Sequence, residues 1–356
     1  MSATDHATHS QHALVLTGDP DSIKGVGHLN DILRSRGLTS RLAGEFRPAG
    51  SSAVIVPVIG GDAGAVVRTL RAEGRRECHL LSAYVDGTFL FFSRGVGHGL
   101  TFSEFTPDEG TEPPREWLPV PEKLRRPVVA LLDSGVHRHE WLPDAPEDDP
   151  FLIDAAADPV DPWKPDLTGD AEAPFRAAQT RAGHGTFIAG IIRQVARSAR
   201  VLSVRVMNDQ GGVHECTVLD ALGWLLRYVR RDHPVDVLCM AFGRVPGDRT
   251  DQPLQHEIDR LLAELAAEGV QAVASAGNNH QGEEIFPASS ASVIGVGAGF
   301  GGYHAEFSNF GPWVERYRDG VNVESIMPGG KWARWSGTSF AAANFAADLA
   351  IPRVAR

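Results

Sequence analysis

Two regimes of apolar and polar alternation divide the chain. In the first, from residue 13 to about 95, short apolar runs are separated by amphipathic stretches. Ala13-Leu14-Val15-Leu16 and Ala53-Val54-Ile55-Val56 predict strands. Residues 22–36 predict a helix stopped at Gly37. Residues 62–73 predict another, with Asp62 as its cap and Gly74 as its stop. Residues 78–83 and 88–92 predict a hairpin across Asp86-Gly87, and residues 39–43 a further weak strand. That order implies a small open α/β unit.

The second regime starts at Val128. β-branched, continuously apolar runs recur at 128–132, 201–206, 235–242, 270–275 and 293–296. Such runs suit strands covered on both faces. Helical patterns fill the gaps at 184–197, 217–230 and 254–268. The first gathers Phe187, Ile188, Ile191, Ile192 and Val195 on one side. The expected fold class is α/β: a doubly wound, mostly parallel sheet with its ligand crevice at the carboxyl ends of the strands. The expected organisation is a disordered tail (1–12), a small N-terminal α/β domain (13–100), a linker (101–126) and a large domain (127–356). The linker is rich in proline, with Pro107, Pro113, Pro114, Pro119 and Pro121. It reads as a boundary or as a strap over the second domain.

Composition narrows the function classes. At 356 residues and 42% hydrophobic, the chain can bury a sizeable core. A formal net charge of −11 argues against a nucleic-acid partner, which needs a basic face. No apolar run reaches the roughly 18 residues that span a bilayer. The polar, His-rich start lacks the basic and apolar segments of an export signal, so a cytoplasmic location is expected. Cys78, Cys216 and Cys239 read as reduced thiols, with Cys239 a small core residue. No Cys/His spacing suggests zinc.

Candidate chemistry lies in three motifs: Leu131-Leu132-Asp133-Ser134-Gly135, Gly183-His184-Gly185-Thr186 and Ser336-Gly337-Thr338-Ser339. Singly, each is ordinary: a turn, a glycine-flanked helix start, an N-cap. Together they put an Asp, a His and a Ser at strand ends and helix starts. A serine hydroxyl is a poor nucleophile until a histidine takes its proton, and that histidine needs a carboxylate to fix its tautomer. Ser339 opens an Ala- and Phe-rich helical run, where free N–H groups and the helix dipole favour an oxyanion. Ser275-Ala276-Gly277-Asn278-Asn279 closes a strand and offers the Asn278 amide as a neutral donor.

These motifs resemble those of the subtilisin-like serine peptidases (subtilases, peptidase S8), from about residue 127 to the C-terminus. Val237-Leu238-Cys239-Met240-Ala241-Phe242-Gly243, Phe286-Pro287-Ala288, Phe307-Ser308-Asn309-Phe310-Gly311 and Met327-Pro328-Gly329 add to the likeness. The resemblance implies that Asp133 orients the histidine, His184 is general base and acid, and Ser339 is the nucleophile. Asn278 and the Ser339 N–H would form the oxyanion hole. Ala241, Phe242, Gly243, Ser275, Ala276 and Gly277 would line the substrate cleft. The implied activity is peptide hydrolysis through an acyl-enzyme, acting on a peptide or protein substrate with no cofactor. The alternative is a catalytically silent peptide-binding module. An acyl hydrolase with a Gly-x-Ser-x-Gly elbow would carry its residues in the order Ser, Asp, His, which is not the order here.

The chain departs from that pattern in three places. Ala343 stands where the family commonly has proline. The N-terminal unit is similar in element order to the ferredoxin-like pro-domain of some subtilases, which leaves two expectations: a removable segment or a retained accessory domain. The stretch between Asp133 and His184 is long and acidic, with Asp144, Glu147, Asp148, Asp149, Asp154, Asp158, Asp161, Asp166, Asp170 and Glu172 against the single Lys164. It reads as a solvated loop, a lid favouring basic substrates, or a structural calcium site, although no regular calcium-loop spacing is present. No metal ligands are assigned.

Overall fold

The computed structural model describes residues 9–16, 26–42, 54–76, 78–86, 108–110, 125–144, 151–164, 183–207, 211–246 and 253–351. The first unit comprises β1 (His9–Leu16), α1 (Val26–Ser35), β2 (Arg41–Leu42), β3 (Val54–Ile59), α2 (Ala63–Ala72) and β4 (Cys78–Asp86). Its strands run β4-β1-β3-β2, all antiparallel, which is the ferredoxin-like order. Asp62 caps α2 as its sequence implies, accepting from the N–H groups of Gly64 and Ala65. Leu16, Leu29, Leu33, Val56, Val66 and Leu70 form the core of this unit.

Two N-terminal expectations need correction. The tail does not run to residue 12, because β1 begins at His9 and pairs with β4 there. The strand that starts at Cys78 does not end at Ala83. It continues to Asp86, because Ala83–Asp86 find partners far along the chain. Residues 88–92, the expected second arm, lie outside the described residues.

The remaining elements are β5 (Asp108–Glu109), β6 (Val128–Asp133), β7 (Leu152–Asp154), α3 (His184–Val195), β8 (Arg200–Arg205), β9 (Gly212–His214), α4 (Glu215–Arg230), β10 (Val237–Met240), β11 (Phe242–Gly243), α5 (Pro253–Ala267), β12 (Gln271–Ser275), β13 (Val293–Phe300), β14 (Tyr303–His304), β15 (Arg316–Asp319), β16 (Val323–Met327), β17 (Lys331–Trp335) and α6 (Thr338–Leu349). The large sheet runs β14-β13-β12-β10-β6-β8-β7, with β15 also on β13, and every pairing except β13–β14 is parallel. Alternate residues of β6 face opposite layers. Val128, Ala130 and Leu132 pack towards α4 and α5, while Val129 and Leu131 pack towards α3 and α6. The doubly wound reading therefore holds.

Sequence patterning did not anticipate the small sheet β16-β17-β5. In it, Asp108 and Glu109 pair with Arg334 and Ala333, so this part of the linker lies on the large domain as a strap. In the acidic stretch, Asp154 caps a short 3-10 turn, Asp158 pairs with Arg231 and Asp161 with Arg227, both at 3.0 Å. Among the described residues, no group of three or more His, Cys, Asp or Glu is placed to hold a metal ion, and no helix is long and apolar enough to cross a membrane. The three cysteines form no disulfide.

Candidate active site

Asp133 is the last residue of β6, at the carboxyl edge of the sheet, and is fully buried. Its Oδ1 accepts the N–H of Ser134 at 2.8 Å. The Nδ1 of His184 lies 3.0 Å from the same oxygen and 3.1 Å from Oδ2. A carboxylate can only accept, so Nδ1 carries the hydrogen and Nε2 is the nitrogen that can take a proton.

His184 opens α3. The next residue is glycine because a Cβ at Gly185 would run into the carbonyl oxygen of Gly135. Without one, the helix start abuts the 133–135 turn, and the Gly185 N–H donates to Ser134 Oγ at 3.1 Å. Trp335 and Phe340 flank the imidazole, with ring centroids at 5.7 and 5.6 Å.

Ser339 lies in the first turn of α6, with Gly337 as its N-cap. Its hydroxyl donates to the Ala241 carbonyl at 3.3 Å. Ala241 is the residue that interrupts the expected strand 235–242, separating β10 from β11.

Asn278 follows β12. Its Oδ1 accepts the Thr338 N–H at 2.9 Å, so Nδ2 is the end of the amide that can donate to a substrate oxygen. Thr338 Oγ1 in turn accepts the Gly277 N–H at 3.0 Å. Gly277 has φ +95°, a conformation that suits glycine.

One residue of this site had no role in the sequence reading. Asn309, fully buried, donates through Nδ2 to Ala276 O at 2.9 Å and accepts at Oδ1 from the N–H groups of Asn279 and Gln281. Its own N–H donates to Gly277 O at 2.9 Å. The turn that carries Asn278 is thus fastened on both sides. In the sequence Asn309 stood only within Phe307-Ser308-Asn309-Phe310-Gly311, a stretch that added to the family likeness without assigning it a role.

Ala241, Phe242 and Gly243 stand on one side of the nucleophile. Ser275, Ala276 and Gly277, at and after the end of β12, stand on the other, and all six are buried. The end of β4 lies against the first wall. Asp86 pairs with Phe242 and Val85 with Gly243, antiparallel. On its other edge β4 pairs with β9, Ala83 opposite His214 and Val85 opposite Gly212. A buried ion pair ties the two flanking strands together: Glu215 directly follows β9, Arg244 directly follows β11, and they meet at 2.7 Å. Arg244 Nη2 also donates to Gln255 Oε1 at 3.2 Å.

Comparison with known proteins bears on the family of the chain. A model of the subtilase family matches residues 125–353. An intracellular serine protease of Paenibacillus polymyxa is 30% identical over 200 residues, covering 52% of this chain and 58% of the relative. A subtilisin-like protease of Coccidioides posadasii (strain C735) is 30% identical over 172 residues, covering 46% and 41%. The chain spans about half the length of the curated relatives it matches. Among solved structures, a cold-adapted subtilisin-like serine proteinase aligns at 23% identity and TM-score 0.48, over 65% of this chain and 79% of the other. The protease domain of PatA aligns at 25% identity and TM-score 0.48, over 63% and 78%.

Proposed function

The chain belongs to the subtilase family of serine proteases, and from that premise we propose that it is a serine endopeptidase whose machinery is Asp133, His184, Ser339 and Asn278. The observation that carries this reading is the buried Asp133–His184 hydrogen bond, with Nε2 left as the basic nitrogen. Rotation of the Ser339 side chain away from Ala241 O would turn its hydroxyl towards that nitrogen. Ser339 Oγ then attacks a peptide carbonyl carbon while His184 takes the proton. The Asn278 Nδ2 and the Ser339 N–H receive the developing oxyanion. His184 returns the proton to the departing amine, and water hydrolyses the acyl-enzyme by the same route in reverse. The buried carboxylate steadies the imidazolium between the two proton transfers. No step calls on a cofactor.

The substrate is a peptide laid as a strand between β9 and β11. The pairing of β4 with both strands supports this, since a stretch of main chain already fits there. It also supports a role for the N-terminal unit: in the intact chain, that unit restrains the enzyme by filling its own cleft. The work we assign to the protein is intracellular processing or regulatory cleavage. The name of the Paenibacillus relative supports the location. A silent peptide-binding module is the competing reading.

Hydrolysis of a fluorogenic peptide separates the two. The peptidase reading expects activity that falls by several orders of magnitude in Ser339→Ala and in His184→Ala, with each variant folded. Equal turnover in those variants, or none in the parent chain once its cleft is cleared, would favour the binding module.

A further inference from the structure

We infer that Ile285 closes the pocket beside the nucleophile and restricts the residue on the acyl side of the scissile bond to glycine or alanine. This deepens the peptidase reading and rests on it.

When a peptide carbonyl sits over Ser339, three of its directions are already fixed. Its oxygen points to Asn278 Nδ2 and the Ser339 N–H. Its backbone follows Ala241, whose carbonyl is 3.3 Å from the Ser339 hydroxyl. The leaving amine faces His184. The acyl-side side chain is left with the gap between the 241–243 backbone and the 275–277 backbone.

That gap holds the side chain of Ile285. A Cβ added at Gly243 would collide with Ile285 Cγ2, and one at Gly277 would touch Ile285 Cγ1 at 3.4 Å. One side chain therefore touches both walls. Ile285 is fully buried, backed by Val245 and Trp313. It cannot swing aside easily, because its neighbour is zipped to the first wall: Arg244 N–H donates to Phe286 O and Phe286 N–H to Arg244 O, both at 2.9 Å. Protein interiors yield little to added volume, so a leucine or phenylalanine side chain would meet atoms rather than space.

β4 sets Val85 against Gly243 and Asp86 against Phe242, a register that advances towards Ala241.

The test uses quenched peptides Ala-Tyr-Val-Asp-X-Thr-Phe-Leu, patterned on residues 83–90, with X as glycine, alanine, leucine or phenylalanine. The enzyme is the full chain carrying Tyr84→Pro and Val85→Pro, which strips backbone donors from the strand lodged in the cleft. Ile285→Ala and the milder Ile285→Val are added to that background. The expected result is a kcat/KM about 100-fold higher for glycine than for phenylalanine, with the ratio shrinking at least about tenfold in Ile285→Ala and by less in Ile285→Val. Equal cleavage of the glycine and phenylalanine peptides would overturn the inference. So would an unchanged ratio in a folded Ile285 variant, or no cleavage of any of the four peptides by a chain whose Ser339 still takes a fluorophosphonate. No cleavage together with no fluorophosphonate adduct would instead overturn the peptidase reading beneath it.

Discussion

At the scale of single residues, the site is a set of side chains whose orientation is decided by neighbours. Asn278 shows how. Its oxygen is held by the Thr338 N–H and its turn by Asn309, so the donor end of the amide is set before any substrate arrives. Preorganised donors of this kind act on the charge that appears in the transition state. Asn278→Ala is therefore expected to lower kcat by about 10²–10³ while KM changes little; steady-state kinetics on one peptide check this. The thiols stand apart from this chemistry. Burial, and secondarily the nearby Asp220 carboxylate, push the Cys216 thiol up to about 12; burial likewise raises Cys239. Thiolate is the reactive form, so at neutral pH neither should be alkylated by iodoacetamide until the protein is denatured; peptide mapping would show it. Asp133, His184, Ser339 and Asn278 could be proposed from the sequence because each sits in a short local motif with glycines that free its backbone. Asn309 and Ile285 could not. Asn309 lies in a stretch that matched the family without naming a role, Ile285 in no motif, and both depend on contacts that only folding brings together.

At the scale of elements, the cleft is a spacing problem. β9 and β11 must stand two strand widths apart to admit a peptide between them, and the Glu215–Arg244 pair fixes that interval from behind. Both side chains are almost completely buried, 3% and 1% exposed. Removing one partner leaves the other charge stranded, at a cost of about 3–5 kcal/mol. Arg244→Leu should therefore lower the unfolding free energy by that order and raise KM for peptides. Glu215→Leu with Arg244→Leu should recover much of the stability; denaturant melts of the single and double variants test it. Helix placement is equally strict. A Cβ at Gly190 on α3 would run into Ser325 Oγ and come within 2.5 Å of Ile326 Cγ1 on β16. Gly190→Ala should destabilise by about 1–3 kcal/mol, read as a lower Tm. The parallel sheet and its helices were legible because buried strands read as continuous apolar runs and helices as one-sided stripes. β16 and β17 were missed, since their exposed and buried positions mix polar with apolar residues. The end of β4 was missed because Ala83–Asp86 are strand only by virtue of partners more than 120 positions away.

At the scale of the whole molecule, the N-terminal unit pairs with the large domain through the end of β4, which joins both β9 and β11. The N-terminal unit has a separate core, yet its last strand lies between the two strands that would grip a substrate, and β5 then pairs with β17 shortly before Ser339. The four residues proposed for catalysis are only 0–1% exposed, in keeping with the proposed filling of the cleft. Incubation of the purified full chain is expected to shorten it from the N-terminal side over time, whereas Ser339→Ala keeps its full mass; intact-mass spectrometry distinguishes the two. A two-unit layout was the expectation drawn from the change in patterning at Val128. The pairing of β4 with β9 and β11 could not be foreseen, because strand pairing between distant segments leaves no periodic mark.

In the proposed mechanism the Asp133–His184 pair activates Ser339 as a nucleophile. The most direct measurement is the site and rate of fluorophosphonate modification in the chain carrying Tyr84→Pro and Val85→Pro, followed by intact mass and peptide mapping. One adduct is expected, on Ser339, formed at least about 10³-fold more slowly in His184→Ala. A folded chain that takes no adduct at Ser339, or one whose labelling is indifferent to His184, would contradict it.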